Sequence, residues 1–145
     1  MLTDIDHVGI AVADLDAAVE HYRRTLGVEP AHREVVTSQG IEEVLFPVGT
    51  SFIQLVGALG PDTPVGRFLA KRGPGLHHVG YRVGDVAATL EKLRAEGVAL
   101  IDEAPRPGSR GTTIAFVHPK GMYGVLVELV QEPAREGPSG PAPER

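Results

Sequence analysis

Apolar and polar positions alternate along two short stretches of nearly the same sequence. Residues 5–12 read IDHVGIAV and residues 76–83 read LHHVGYRV, and each has the two-residue period of a β-strand. This period places His7 and His78 on the strand faces opposite to the larger apolar side chains. A repeated strand explains the valine and glycine that follow each histidine, but it does not by itself require a histidine twice.

A helix pattern follows each of these strands. Apolar residues recur at helical spacing in LDAAVEHYRRTLG (15–27) and again in VAATLEKLRAEG (86–97). Each pattern has an aspartate before it and a glycine at its end, which is typical of helix boundaries. These boundary residues are Asp14, Gly27, Asp85 and Gly97.

The remainder of each copy predicts further strands. Residues 41–56 and 112–130 each contain two apolar runs around a turn, and shorter elements are expected near 31–36 and 98–101. The chain is therefore predicted to be α+β, with two tandem βαβββ modules in one compact domain. The expected divisions are a first module (1–57), a connecting segment (58–75), a second module (76–131) and a disordered tail (132–145).

Composition limits the classes of function. At 145 residues, with 42% apolar and 23% charged residues, the chain has the size and composition of one globular domain. It has no cysteine, which excludes disulfides, thiolate ligands and cysteine nucleophiles and favours a cytoplasmic location. A net charge of -5 without a basic stripe argues against nucleic acid, and no apolar stretch approaches the roughly 20 residues of a membrane helix. Small molecules, anionic ones included, remain as partners.

Four polar residues occupy two pairs of matched positions. His7 matches His78, and Gln54 in IQLV matches Glu128 in VELV. If the copies pack about a pseudo-twofold axis, all four side chains converge in one concavity of a curved eight-stranded sheet with its helices outside. Imidazole nitrogens with carboxamide and carboxylate oxygens suit a divalent first-row metal. The repeat therefore predicts a metal site without naming a reaction.

The ordinary interpretation of a strand histidine is a hydrogen-bonded, partly buried residue. We keep this interpretation for His21, His32 and His118, which have no partner in the other copy. His77 corresponds to Asp6 and is expected on the helix side of its strand, in a structural or supporting role. The matched residues fit this interpretation less well, because each unpaired polar group in an apolar strand costs about 1–3 kcal/mol.

Five stretches of the chain resemble the vicinal oxygen chelate superfamily and, within it, the methylmalonyl-CoA epimerases. They are IDHVGIAV, QGIEEVLF, KRGPGLHHVGYRV, IDEAPRPGSRGTTIAFVHPKG and GVLVELVQ. The resemblance implies a reaction that interconverts the (2R) and (2S) epimers of methylmalonyl-CoA. It also implies a divalent metal ion, with cobalt expected first and zinc, manganese and nickel as alternatives. The ligands implied are His7, Gln54, His78 and Glu128.

The resemblance further implies two catalytic carboxylates. It places one at Glu43 in the QGIEE stretch and suggests Glu128 for the other, so that a proton leaves C2 on one face and returns on the other. A divalent ion would stabilise the enolate between these steps. Setting Pro47 beside Pro119 makes Ala115 the counterpart of Glu43, with a small residue in place of a charge.

Expectations for the coenzyme A part of the substrate rest on basic residues in the family-like loops. These candidates are Lys71, Arg72, Arg106, Arg110 and Lys120. Relatives commonly dimerise, so a homodimer is expected. Two alternatives remain open: another superfamily member, such as a glyoxalase I-like isomerase or lyase, and a non-catalytic small-molecule-binding module. The complete His/Gln/His/Glu set together with Glu43 favours the epimerase.

Overall fold

The structure, a computed structural model, describes residues 1–134; most of the predicted tail (132–145) lies outside the described residues. The described chain forms an eight-stranded sheet with three α-helices, and none of these helices is long and apolar enough to cross a bilayer. The strands are β1 (Leu2–Ala11), β2 (His32–Val36), β3 (Ile41–Val48), β4 (Ser51–Ala58), β5 (Gly75–Val83), β6 (Arg106–Pro107), β7 (Thr113–Val117) and β8 (Val127–Gln131). The helices are α1 (Leu15–Leu26), α2 (Pro64–Arg72) and α3 (Val86–Ala95).

The strands lie in the order β2-β3-β4-β1-β5-β8-β7-β6, so the first four and the last four form two halves of the sheet. In each half the first strand pairs in parallel with the last, β1 with β4 and β5 with β8. The halves meet where β1 pairs antiparallel with β5. The predicted α+β fold with a curved eight-stranded sheet is confirmed, and the two histidine strands lie side by side.

Helices α1 and α3 begin and end where the sequence predicts. The Asp14 carboxylate accepts a hydrogen bond from Ala17 N–H (3.1 Å), and Asp85 accepts one from Ala88 N–H (3.0 Å). Gly27 ends α1 in the left-handed region (φ 68°), which glycine adopts without steric cost. The caps therefore fix the point at which each chain segment turns back toward the sheet.

The apolar side chains that pack against the helices fix one face of each strand, and the alternate residues therefore lie on the concave face of the sheet. Val44 and Phe46 of β3 are buried with the apolar face of α1, and Ala115 and Val117 of β7 are buried with that of α3. Each large apolar side chain buried in this way contributes about 1.5–3 kcal/mol relative to exposure. Because strand residues alternate, their neighbours point into the concave side of the sheet.

One predicted strand is misplaced. Residues 98–101 form only an isolated bridge between Leu100 and Val117, and the short strand of the second half is β6. Just beyond this bridge, the Asp102 carboxylate accepts the backbone N–H of Phe116 (2.8 Å). This side-chain bond occupies a donor that a longer ladder would need, so the pairing ends there.

Candidate active site

The repeated HVG motif places two imidazoles across the seam between β1 and β5. In the antiparallel register His7 lies opposite Gly80, and His78 lies opposite Gly9. A Cβ atom on Gly80 would collide with the His7 ring, and one on Gly9 would collide with the His78 ring. Each glycine therefore makes the space for the histidine of the other half, so the two residues of the motif are required as a pair.

Three buried side chains meet at this seam. The Nε2 atoms of His7 and His78 are 3.0 Å apart, and Oε1 of Glu128 lies 3.0 Å from the first and 3.2 Å from the second. Each of the three residues is 4% exposed. Their ligand atoms lie within 4.8 Å of one another, close enough for one metal ion to contact all three.

Gln54 of β4 and Glu43 of β3 form a second buried pair. Gln54 Nε2 donates a hydrogen bond to Glu43 Oε1 (2.7 Å). Among the described residues, Gln54 Oε1 and Glu43 Oε2 are buried acceptors without a hydrogen-bond partner. An unsatisfied buried acceptor costs about 1–3 kcal/mol, so these two oxygens mark a place where a ligand is expected.

A cavity of about 10 Å³, the room of a single water molecule, joins the two groups. Its lining includes three of the four predicted metal ligands, His7, Gln54 and Glu128. It also includes the other predicted catalytic carboxylate, Glu43, and the aliphatic residues Leu45, Ile114 and Val130. His78 adjoins this cavity through its contacts with His7 and Glu128. The structure thus brings together the residues that the repeat and the resemblance selected.

Asp6 is a site residue that the sequence analysis missed. It is fully buried, and its Oδ2 accepts hydrogen bonds from His7 Nδ1 (2.7 Å) and from Arg110 Nη2 (3.0 Å). Its Oδ1 accepts two more from Arg82. Strict alternation would turn Asp6 away from His7, but the β1–β5 register shifts between Ile5 and His7. This β-bulge brings the two side chains together.

A second bulge lies at the matching position of β5. The register skips His77, whose Nδ1 lies 2.8 Å from His78 Nδ1. The His77 ring packs edge-on against Phe68 of α2 rather than among the residues under α3. The expected supporting role is thus consistent with its contacts, but the expected placement under the helix of its own half is wrong. The only sequence signal for either bulge is that Asp6 and His77 correspond in the repeat.

The pKa values of the two imidazoles shift in opposite directions. Burial lowers the pKa of His7, but hydrogen bonds to Asp6 and Glu128 outweigh it and raise that pKa to about 9. Burial holds the pKa of His78 below its usual value. Burial also favours the neutral form of Glu128, but its bonds to both histidines hold its pKa well below the usual range. Glu128 is therefore a carboxylate that requires a nearby positive charge.

A divalent metal ion fits this donor set. Two imidazole nitrogens and a carboxylate converge, and the unsatisfied Gln54 Oε1 lines the same cavity as His7 and Glu128. The bond from His7 Nδ1 to Asp6 leaves Nε2 to bind the ion, as in other sites where a carboxylate orients a ligating histidine. Such mixed nitrogen and oxygen sets suit first-row divalent ions.

The counterpart of Glu43 in the second half is Ile114, and the prediction of Ala115 is wrong. Counting back along the paired strands from the matched residues Gln54 and Glu128 leads to Glu43 and Ile114. Ile114 lines the small cavity, whereas Ala115 packs under α3. The proline alignment fails because a tight turn joins β3 to β4 but a longer loop joins β7 to β8.

Arg110 lies in the loop between β6 and β7, which crosses from the second half to the first. Its guanidinium pairs with Asp6 and lies 5.0 Å from the ring centre of Phe52, and its backbone N–H donates to Glu34 Oε1 (3.0 Å). The loop also covers the small cavity, whose lining includes Ser109 and Arg110. Arg110 therefore supports the site through Asp6 as well as standing near its entrance.

The other basic candidates lie farther out. Arg106 lines a cavity of about 350 Å³ that reaches His78 from the side of α2. Arg72 lines another, of about 410 Å³, that reaches His78 between α2 and the β7–β8 loop. Lys71 and Lys120 are exposed and line neither cavity. Arg72 and Arg106 are thus the two outer candidates that the structure connects to the site.

Known proteins of one superfamily are similar to this chain in sequence and fold. The chain matches the Glyoxalase/Bleomycin resistance protein/Dioxygenase superfamily over residues 6–116. It is 35% identical over 133 residues to the ethylmalonyl-CoA/methylmalonyl-CoA epimerase of Cereibacter sphaeroides, a match that covers 90% of this chain and 99% of that protein.

Solved structures agree with this match. The crystal structure of methylmalonyl-CoA epimerase from Mycobacterium tuberculosis is 44% identical with a TM-score of 0.88, covering 91% of this chain and 89% of that one. A methylmalonyl-CoA epimerase in complex with methylmalonyl-CoA and NH4+ is 44% identical with a TM-score of 0.90, covering 94% and 99%. Sequence, sheet order and buried residues together show that this chain belongs to the methylmalonyl-CoA epimerase family of that superfamily.

Proposed function

We propose that this protein is a metal-dependent epimerase that interconverts the (2R) and (2S) epimers of methylmalonyl-CoA. The observation that carries the proposal is that two buried carboxylates, Glu43 and Glu128, line one cavity beside a candidate metal cluster. C2 of the substrate lies between a thioester and a carboxylate, so its proton is acidic once the enolate is stabilised. Inversion at C2 needs a base on one face and an acid on the other, which two carboxylates can supply.

The ligands that we assign to the metal ion are His7, Gln54, His78 and Glu128. When bound, a divalent ion supplies positive charge that stabilises the enolate and favours its formation. Cobalt is the ion that we propose, with zinc, manganese and nickel as alternatives, because this donor set suits several first-row ions. Asp6 supports the site by fixing the ring orientation of His7.

Glu43 serves one face of C2 through Oε2, the oxygen without a hydrogen-bond partner. The Gln54 amide holds the other oxygen, so the carboxylate has a fixed orientation before substrate binds. Glu128 serves the opposite face and exchanges roles with Glu43 when the reaction runs in reverse. Aliphatic side chains in the cavity lining limit the access of water to C2; they are Leu45, Ile114 and Val130.

The remaining features of the proposal concern the protein as a whole. Arg72 and Arg106 line the cavities that would hold the pantetheine arm, and Lys71 and Lys120 are candidates for the outer CoA phosphates. We place the protein in the cytoplasm, as a homodimer with a role in propionate metabolism. The absence of cysteine favours that location, and the family resemblance supports the other two points.

Proton NMR of methylmalonyl-CoA in D₂O tests the proposal directly. Metal-loaded protein is expected to exchange the C2 proton for deuterium and to invert the configuration at C2, whereas chelator-treated protein is not. The matched comparison is Glu43→Gln, which keeps the size of the side chain but cannot accept a proton at neutral pH. If metal-replete, folded protein exchanged no proton, the proposed epimerase function would be wrong. Hemithioacetals of the glyoxalase I type would then be the next substrates to test.

A further inference from the structure

The substrate of the proposed reaction carries a carboxylate on C2, and this group has to enter a cavity that is rich in acidic side chains. Glu43 and Glu128 line the small cavity, and Asp6 contacts the far side of the His7 ring. Like charges that are brought together in a buried place repel one another strongly, because little water screens them. A cationic side chain beside the substrate carboxylate would offset this repulsion.

We propose that Arg110 binds the substrate carboxylate and so selects 2-alkylmalonyl thioesters over acyl thioesters that lack this group, an inference that rests on the proposed function. Within residues 1–134, Arg110 is the only lysine or arginine that lines the small cavity. Its Nε atom is buried and has no hydrogen-bond partner. A buried donor without a partner is costly, so this nitrogen marks a place where an acceptor is expected.

The rest of the Arg110 side chain is held in position before substrate binds. Nη2 donates to Asp6 Oδ2 (3.0 Å), and the guanidinium lies 5.0 Å from the ring centre of Phe52. The other oxygen of Asp6 accepts two hydrogen bonds from Arg82, so Asp6 occupies one nitrogen of Arg110 and leaves Nε free. A guanidinium that is fixed in this way loses little freedom when an anion binds to its remaining donors.

The cavities around the two imidazoles indicate how the acyl group is oriented. The lining of the small cavity includes His7 and Arg110 but not His78. The two outer cavities, which would hold the pantetheine arm, reach His78 but neither His7 nor Arg110. With C2 beside the imidazoles, the thioester therefore extends toward the His78 side and the carboxylate toward Arg110.

The loop that carries Arg110 has to move when the acyl group enters, because the small cavity has room for a single water molecule. The loop (108–112) is a short connection between β6 and β7. All four proposed metal ligands lie on strands instead: β1, β4, β5 and β8. The loop can thus shift to admit the acyl group while the proposed ligands keep their places.

The test compares the affinity of metal-loaded protein for methylmalonyl-CoA with its affinity for propionyl-CoA, which lacks the carboxylate. In Arg110→Met we expect the affinity for methylmalonyl-CoA to fall about 10–100-fold, the range for loss of a hydrogen bond to a charged group. The affinity for propionyl-CoA should stay unchanged. Arg110→Lys keeps the charge without the planar fork, so it should recover part of the loss. It also provides the same comparison if the methionine variant does not fold.

Titration calorimetry measures both affinities, and exchange of the C2 proton in D₂O gives a second measurement on the same samples. The KM of Arg110→Met for methylmalonyl-CoA is expected to rise in proportion to the lost affinity, with little change in kcat. Arg23→Met is the control, because Arg23 lies on α1 and pairs with Glu20 and Glu29 at the surface. Its affinities and its KM should equal those of the unaltered protein.

Other outcomes contradict either the inference or the function on which it rests. If Arg110→Met lost affinity for both thioesters equally, Arg110 would act on the site through Asp6 and would not bind the carboxylate. Unchanged affinity of Arg110→Met for methylmalonyl-CoA would also refute the inference. If the unaltered, metal-loaded protein bound methylmalonyl-CoA but exchanged no C2 proton, the epimerase function would be wrong, and the two affinities would still decide the role of Arg110.

Discussion

The two halves of the sheet share a backbone plan but differ at the residues nearest the chemistry. His7 and His78 occupy the same position on β1 and β5, and each depends on a glycine of the other strand. The neighbour before the histidine differs, however, since Asp6 supports His7 while His77 contacts His78. The pKa of His7 is raised, because its bonds to Asp6 and Glu128 outweigh its burial, whereas burial lowers the pKa of His78.

A second difference is that the first half lines the small cavity with a charged residue where the second half has an aliphatic one. Glu43 in the first half corresponds to Ile114 in the second, and both line the small cavity. A symmetric site would offer identical groups to a substrate whose C2 carries four different substituents. Retained positions thus supply the proposed ligands, and diverged positions supply the asymmetry that one bound substrate would require.

The largest expected effect comes from removing one of the matched ligands. His78→Ala takes away one of the two imidazoles, so metal affinity should fall more than about 100-fold, beyond the loss typical of supporting residues, with no measurable activity left. Equilibrium dialysis with the metal and the NMR exchange assay measure the two quantities on one sample. His21→Ala on α1 is the control. Metal binding at unchanged affinity would show that the cluster is not the metal site.

A substitution of Glu43, which has no carboxylate counterpart in the second half, should impair proton exchange without impairing metal binding. Glu43→Gln is expected to lower the exchange rate by about 10²–10⁴-fold, the range for loss of a general base, with unchanged metal content. Glu42→Gln is the matched control, because Glu42 is the neighbouring residue and pairs with Arg33 on the other face of the strand. Loss of metal in the Glu43 variant, measured by elemental analysis, would contradict the separation of roles.

The supporting residue of the first half should give a smaller effect. Asp6→Asn keeps the shape of the side chain but weakens its hold on His7, so metal affinity is expected to fall about 10–100-fold. Metal titration followed by calorimetry measures this loss. Asp4→Asn provides the comparison, since Asp4 pairs with Arg82 at 3.4 Å without contacting His7. Equal metal affinities in the two variants would show that Asp6 does not support the metal site.

The smallest effect tests whether the two glycines of the β1–β5 seam are equally important for packing the opposite imidazole. Gly9→Ala and Gly80→Ala should each lower the free energy of unfolding by about 1–3 kcal/mol, because each added methyl forces the opposite imidazole to move. Urea denaturation of the metal-free protein measures both values, and we expect them to be similar. Gly84→Ala is the control, since a Cβ atom there meets nothing within 4 Å. If only one of the two glycine variants had a lower free energy of unfolding, the two glycines would not have equivalent roles.

The sequence alone predicts the residues whose signal is repeated. The strands around His7 and His78, their capped helices and the Gln54 and Glu128 positions follow from apolar period and from correspondence between copies. The assignment of Glu43 required the family resemblance, because a single glutamate in a strand has no counterpart that marks it. Repetition is therefore a strong source of prediction for the ligands and a weak one for the catalytic groups.

The errors arise where local backbone geometry breaks the period. Bulges at Asp6 and His77 turn both side chains toward their neighbouring imidazoles, and strict alternation cannot anticipate either one. The mistaken counterpart Ala115 reflects a loop of different length, which shifts a sequence alignment without shifting the paired strands.

The antiparallel seam between β1 and β5 also has a consequence for assembly. Each half contributes one imidazole and one glycine floor, so the seam is complete whenever a first half meets a second half, whichever chain they come from. Two chains that exchanged halves would recreate two identical sites, each composed of residues from both polypeptides. Mixing a chain altered at His7 with one altered at His78 would then regenerate one intact centre in each exchanged pair that contains one chain of each kind, which is complementation between two polypeptides.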